Sequence, residues 1–120
     1  MRTYKELLVF QKAYDLAMEI FELSKEFPKI ETYSLTDQIR RSSRSVTANI
    51  SEAYKRRIYP KMFIAKIADC ESEAVETQVW LSFSKDCRYL DDPTYSRLNA
   101  SYDEVISMLA AMRLNFKKWT

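Results

Sequence analysis

Four carboxylates lie close together in the chain, at Asp69, Glu71, Glu73 and Glu76. Oxygen ligands of this kind suit Mg²⁺ or Mn²⁺, which makes a metal-dependent enzyme one hypothesis. The spacing of the four residues does not place them on one face of a helix, and the chain contains no histidine that could assist. We therefore expect no metal, no cofactor, no small-molecule substrate and no enzymatic activity.

The composition excludes several other chemistries. Without glycine the chain cannot form the glycine-rich loops that bind phosphates or dinucleotides. Without histidine it lacks the imidazole base of a nucleophilic triad and the usual ligands of di-iron and catalytic zinc sites. Cys70 and Cys87 are predicted to lie about 25 Å apart on one helix, too far for a disulfide. We interpret them as two buried thiols of a cytoplasmic protein; the alternative is a redox role.

The strongest candidate for binding chemistry is a group of six cations within residues 40–57. The net charge is only +2, so attraction to a nucleic acid has to come from such local clustering. We predict that five of the six face outward and contact phosphates of RNA or DNA: Arg40, Arg44, Lys55, Arg56 and Arg57. The alternative is that these side chains only solvate a helix surface.

Amphipathic helices are predicted to position these residues. Apolar residues recur at spacings of three and four from about Glu6 to Phe27, which predicts a first helix that Pro28 ends. The segment 28–33 is the predicted connection. Ser34 has the sequence context of an N-cap, so a second helix is expected to begin there and to run to about Arg56.

Prolines mark the remaining helix starts. A third helix is predicted from about Pro60 to Tyr89, and Asp92 followed by Pro93 predicts an N-cap and the first position of a fourth helix. Short connections make neighbouring helices antiparallel. The sequence therefore predicts one all-α domain over residues 1–120, an antiparallel four-helix bundle with up-down-up-down topology.

The second helix carries a polar stripe beside its apolar one. Its members recur at helical spacing: Gln38, Arg41, Ser45, Asn49 and Glu52, with Arg56 continuing the row. A solvated face would explain this pattern. We favour a contact with a neighbouring helix or subunit, where buried amides and ion pairs set register and partner choice.

The third helix adds polar residues near its predicted core face. Glu71 and Gln78 project close to that direction, and a buried carboxylate needs a cationic or hydrogen-bonding partner. Arg41 and Asn49 are the expected partners. Glu73 and Glu76 are assigned to the same buried polar network or interface.

The same helix is apolar on a second side, where Trp80 and Phe83 lie. Two such large side chains are unusual on an exposed surface, so we expect another subunit to cover them. The alternative for Trp80 is a seam between helices of one chain. We therefore expect a ring-like homo-oligomer.

Several motifs resemble those of a known family. Q-I-R-R at 38–41, S-V at 45–46 and N-I-S-E at 49–52 resemble the signature of the four-helix-bundle proteins encoded in intervening sequences of bacterial large-subunit (23S) ribosomal RNA genes. The segment L-V-F-Q-K-A at 8–13 resembles the family's opening helix, and E-A-V-E-T at 73–77 with Trp80 and Leu81 resembles its third helix. Ala53 stands where that family usually has glycine.

The resemblance implies the bundle, a homopentamer and a role in contacting nucleic acid, without a known enzymatic activity. It also implies a distant relationship to the accessory protein of diversity-generating retroelements. We consider two functions: an oligomeric module that binds RNA or DNA, and a protein-interaction or scaffold bundle without a nucleic-acid role. The N-terminal residues lack the apolar core of a signal peptide and apolar runs are short, so we expect a cytoplasmic protein without membrane contact.

Overall fold

The structure, a computed structural model, describes residues 3–120. Its described part consists of four α-helices and three short 3₁₀ turns, without a strand. The helices are α1 (Leu8–Ser24), α2 (Leu35–Lys55), α3 (Pro60–Asp86) and α4 (Asp92–Leu114). The 3₁₀ turns are Tyr4–Glu6, Lys29–Glu31 and Phe116–Lys118. The predicted all-α class is confirmed.

The helices pack in the order of the chain around one core. α1 contacts α2, α2 contacts α3, α3 contacts α4, and α1 closes the ring against α4. This is the arrangement of an up-down-up-down antiparallel bundle, as predicted, and it measures 44 × 25 × 21 Å. Each helix contributes one apolar stripe, and the largest fully buried side chains include Tyr102, Phe63, Ile20 and Ile39. None of the described helices is long and apolar enough to span a membrane.

Two predicted helix ends differ from the structure. α1 ends at Ser24, so Phe27 lies beyond the helix, where its ring packs on that of Tyr89 with centroids 5.4 Å apart. α3 ends at Asp86 instead of continuing to Tyr89. Arg88 there has φ 66°, a left-handed conformation that glycine usually supplies at helix C-termini. The chain has no glycine, and so an arginine takes this position.

The predicted caps also need correction. Ser34 precedes α2, but its side chain caps no backbone amide; instead its hydroxyl donates to Glu31 Oε1 over 2.6 Å. That same carboxylate oxygen accepts from the Leu35 amide at 3.4 Å, and Glu31 Oε2 accepts from the Tyr89 hydroxyl at 2.9 Å. These hydrogen bonds, that of Ser34 first, lower the pKa of Glu31. Glu31 thus ties the start of α2 to the segment after α3.

The N-cap of α4 is Asp91, not Asp92. Asp91 Oδ1 accepts from the Thr94 amide over 2.8 Å, while Asp92 is the first helical residue and Pro93 the second. The predicted pairing of a cap acid with a nearby proline is therefore shifted by one residue along the chain.

Candidate nucleic-acid interface

Arg40 and Arg44 are held over the ring of Phe21. Their guanidinium carbons lie 4.8 Å and 5.5 Å from the ring centroid, and Lys25 Nζ lies 4.9 Å from it. Arg40 Nε also donates to Ser24 Oγ at 2.8 Å. The two arginines are one turn apart on α2 and face the same turn of α1, so one aromatic ring positions three cations.

No carboxylate of residues 3–120 forms an ion pair with Arg40 or Arg44. Three other arginines of the described chain are paired: Arg41 with Asp37 at 2.9 Å, Arg97 with Glu19, and Arg113 with Glu71 at 2.7 Å. The charges of Arg40 and Arg44 are therefore oriented by neutral groups and not neutralised. Lys25, the third cation on the Phe21 ring, is paired with Glu22 over 3.0 Å, so of these three cations the two arginines present an unpaired charge to a phosphate.

The other three candidate cations lie at the end of α2. Arg57 stacks on Tyr54, with its guanidinium carbon 3.7 Å from the ring centroid, and its Nε donates to the Tyr54 carbonyl at 2.8 Å. Lys55 and Arg57 line an open cavity of about 840 Å³ together with Trp119. Arg56 lines a different, smaller depression, to which Lys55 and Lys66 of α3 also contribute.

The five predicted phosphate contacts therefore fall into three groups on the surface of the bundle. Arg40 and Arg44 belong to the seam between α1 and α2, Lys55 and Arg57 to the end of the bundle, and Arg56 to the side of α3. The reason is helical geometry, because each residue turns the side chain by about 100°.

A groove between α1 and α2 connects the pair Arg40 and Arg44 with the pair Lys55 and Arg57. It is not among the features predicted from the sequence. We call it the α1–α2 groove; its volume is about 400 Å³, and its lining is Tyr4, Phe10, Tyr14, Ala17, Met18, Arg44, Thr47, Ala48 and Ser51. Tyr14 and Met18 are about half exposed. The signal in the sequence is a second apolar row on α1, since Phe10, Tyr14, Met18 and Phe21 recur at spacings of three and four.

The polar stripe of α2 has a single partner on α3. Lys66 Nζ contacts Asn49 Oδ1 at 3.3 Å and Glu52 Oε2 at 2.7 Å, and this contact lowers the pKa of Glu52. Gln38 and Arg41 are exposed, and Ser45 is half-buried. Within one chain the stripe is thus a partly solvated seam and not a buried network.

Glu71 and Gln78 face α4, so the expectation that Arg41 and Asn49 bind them is wrong. Glu71 accepts two hydrogen bonds from Arg113, from Nε at 2.7 Å and from Nη2 at 3.1 Å. Gln78 Nε2 donates to Asp103 Oδ1 at 2.7 Å. The core direction of α3 lies between α2 and α4, and these two side chains project to the α4 side of it.

Glu73 and Glu76 lie on the opposite side of α3 from Glu71. Burial raises the pKa of Glu73, and the nearby charge of Glu76 raises it further. In the part of the chain that the structure describes, no group of three or more His, Cys, Asp or Glu side chains is arranged to hold a metal ion.

The polar link that does join α2 to α3 in the core was not predicted. Thr77 Oγ1 lies 2.8 Å from Ser42 Oγ, and both residues are buried. Ser42 lies between Ile39 and Val46 on the buried side of α2, where a hydroxyl needs such a partner. A link of this type contributes about 1 kcal/mol of net stability.

Trp80 and Phe83 on α3 differ in how far they are exposed to solvent. Trp80 is half-buried against the core cluster, and its Nε1 is buried without a hydrogen-bond partner among residues 3–120. Phe83 is 52% exposed, with its ring centroid 5.8 Å from that of Trp80. Val75 and Val79 are also about half exposed and precede Phe83 on the same side of α3. We call Val75, Val79 and Phe83 the α3 outer face.

Fold and site together define an all-α four-helix bundle with a groove of aromatic and cationic side chains. The sequence profile of the 23S rRNA-intervening sequence protein family matches residues 5–111. The chain belongs to this family, as its motifs predicted.

One solved structure of high similarity comes from Bacteroides thetaiotaomicron VPI-5482 and is described as a protein with unknown function from the S23 ribosomal protein family. It is 28% identical in sequence and superposes with a TM-score of 0.80, covering 88% of this chain and 98% of the other. Its similarity supports the bundle along nearly the whole of both chains. No curated protein matches the sequence.

Proposed function

We propose that this protein is a non-enzymatic, homo-oligomeric module that binds RNA or DNA. The observation that carries the proposal is the pair Arg40 and Arg44, held over Phe21 and free of carboxylates within the described residues. A guanidinium that is oriented but not neutralised binds a phosphate with little loss of side-chain entropy. Lys55 and Arg57 provide a second cationic group at the end of α2.

Assembly strengthens the proposal. With a net charge of +2 one chain attracts a polyanion weakly, but several copies present the same cations repeatedly to one strand. The pentamer implied by the family resemblance would give five such sites. Affinity then rises with the number of sites that one strand can reach.

The test is fluorescence anisotropy with labelled RNA and DNA. We expect binding to weaken at least about tenfold between about 50 mM and about 200 mM salt, because each phosphate contact releases a counterion. Arg40→Glu/Arg44→Glu should weaken binding by at least about tenfold for the same reason. The matched control is Lys61→Glu/Arg88→Glu, which makes the same change in charge at two exposed positions outside the proposed site.

Two results contradict the proposal. One is binding that does not depend on salt or that survives Arg40→Glu/Arg44→Glu. The other is an equal loss of affinity in the control variant, which would mean that total charge alone governs binding. Native mass spectrometry of protein purified without nuclease complements the test, because it reports the number of subunits and any retained nucleic acid together.

A protein-interaction or scaffold role is the second candidate. The α3 outer face supports it, since a row of half-exposed apolar side chains on the longest helix is suited to covering by another protein surface. This role predicts a stable assembly that retains no nucleic acid.

A further inference from the structure

We propose that the α1–α2 groove binds single-stranded nucleic acid, with bases stacked on its aromatic side chains and phosphates held by the arginines at its two ends. The inference rests on the proposed function, and it names the form of nucleic acid and the surface that binds it. Three features of the groove carry it: its continuity, the aromatic side chains between its two cationic ends and the charge of those ends.

The groove is continuous from one cationic group to the other. Arg44 belongs to the cluster on Phe21 and also lines the groove. At the other end, Tyr4 and Ser51 line both the groove and the 840 Å³ cavity that contains Lys55 and Arg57. A single path therefore runs along α2 from Arg40 to Arg57.

Aromatic side chains lie between the two cationic groups along this path. The rings of Tyr4 and Phe10 meet edge to face with centroids 4.9 Å apart, and those of Phe10 and Tyr14 lie 6.0 Å apart. Tyr14 is 51% exposed, so part of its ring is free to stack on another ring. Aromatic platforms between basic side chains are the recurring design of proteins that bind single strands, because every base has a face to stack.

Apart from Arg44, α2 lines the groove with small side chains. Thr47, Ala48 and Ser51 face the rings of α1 and leave space for a flat group. A duplex cannot use this space, because its bases are stacked inside and only phosphates and base edges are accessible. A duplex would contact the arginines alone.

The positive charge at the two ends of the groove favours a nucleic-acid strand over an apolar peptide as the ligand. Arg40 and Arg44 at one end and Lys55 and Arg57 at the other form no ion pair among residues 3–120. Glu52 also lines the cavity at the second end, but its carboxylate is paired with Lys66 of α3. A neutral helix in the groove would leave these charges uncompensated, whereas the phosphates of a strand would neutralise them as its bases fill the apolar part.

The experiment measures the affinity of the full chain for three probes by anisotropy: an oligouridylate of about 20 nucleotides, a duplex of the same length and an abasic oligomer with the same phosphates. We expect the wild type to prefer the oligouridylate over both other probes. Tyr14→Ser should weaken its binding about five- to tenfold, the effect of one lost stacking contact, and leave the other two affinities unchanged.

Two variants control for folding and for the surface. Tyr14→Phe keeps the ring and should keep the wild-type affinity. Tyr33→Ser removes a tyrosine that is 94% exposed before α2, and it should have no effect. Both variants should have the melting temperature of the wild type.

Each other outcome has a distinct meaning. Equal affinity for single strand and duplex, with loss in Arg40→Glu/Arg44→Glu but none in Tyr14→Ser, overturns this inference and leaves the proposed function intact. Absence of binding to every probe overturns both. Displacement of the oligouridylate by polyglutamate at an equal concentration of charge would show that the groove recognises charge alone, which also overturns the inference.

Discussion

A single aromatic residue decides how the basic cluster can act. Phe21 orients Arg40 and Arg44 without neutralising them, whereas Arg41, the next residue, is neutralised by Asp37 on its own helix. Neighbouring arginines of one helix therefore have different roles. An arginine free of carboxylates keeps its capacity for a phosphate, and a paired one mainly stabilises its own surface.

The two cysteines also differ, although the sequence analysis interpreted both as buried. Cys70 is buried, and loss of solvation raises the pKa of its thiol to about 12, whereas Cys87, the first residue after α3, is exposed. We expect a thiol reagent near pH 8 to modify one cysteine quickly and the other only after unfolding, because the thiolate is the reactive form.

Counting modified thiols by mass spectrometry checks this, with Cys87→Ser as the control that removes the fast reaction. Rapid modification of two thiols in the folded protein would show that α3 opens near Cys70. The interpretation as two buried thiols is wrong for Cys87, which lies just beyond the end of α3 and is exposed.

At the scale of elements, the starts of α2 and α4 depend on acids that accept hydrogen bonds from backbone amides. Asp91 caps α4, and its hydrogen bonds to Thr94 lower the pKa of its carboxyl. A lowered pKa means that this carboxylate stabilises the fold above its unfolded pKa, near 3.8, and that the contribution is lost as the pH falls through the lower folded value.

We therefore expect Asp91→Ala to lower the melting temperature at pH 7 by a few degrees. Asp92→Ala is the matched control and should have a smaller effect, because Asp92 accepts no capping hydrogen bond from the start of α4 in the structure. The difference between the two variants should vanish in strong acid. Thermal melts followed by circular dichroism at several pH values measure this difference in melting temperature. An equal decrease in the melting temperature of both variants would mean that only the charge near the helix start matters.

At the scale of the whole molecule, the α3 outer face bears on assembly. Each chain has a mass of 14.2 kDa. Light scattering will show whether the mass of the protein in solution is a multiple of this value. We expect an oligomer, and we expect Val79→Asp/Phe83→Asp to reduce it towards single chains, because burying an unpaired carboxylate costs several kcal/mol.

The control is Ile30→Asp, at a residue that is 85% exposed in the connection before α2. It should leave the mass unchanged. An unchanged mass in the double variant would place the subunit contact elsewhere, and a wild-type mass of one chain would contradict the oligomer itself. If assembly is lost while single-strand binding per chain persists, the two surfaces act separately.

Sequence alone determined the number of helices, their faces and their approximate ends. The stripe of Leu98, Tyr102, Val105 and Leu109 identifies the buried side of α4 because side chains repeat every 3.6 residues in any α-helix. The family was also predicted from the sequence, because its motifs are contiguous segments of the chain. Caps were predicted less well, because the choice between Asp91 and Asp92 depends on the backbone angles of one residue.

Only the tertiary structure decided which residues meet across helices. Periodicity fixes the face of a helix but neither its rotation within the bundle nor its register against a neighbour. Those two quantities place Phe21 under Arg40 and Arg113 beside Glu71. They also open the groove between α1 and α2, whose two walls are far apart in the chain. The cations were therefore visible in the sequence, while their freedom from carboxylates and the aromatic groove between them depend on packing.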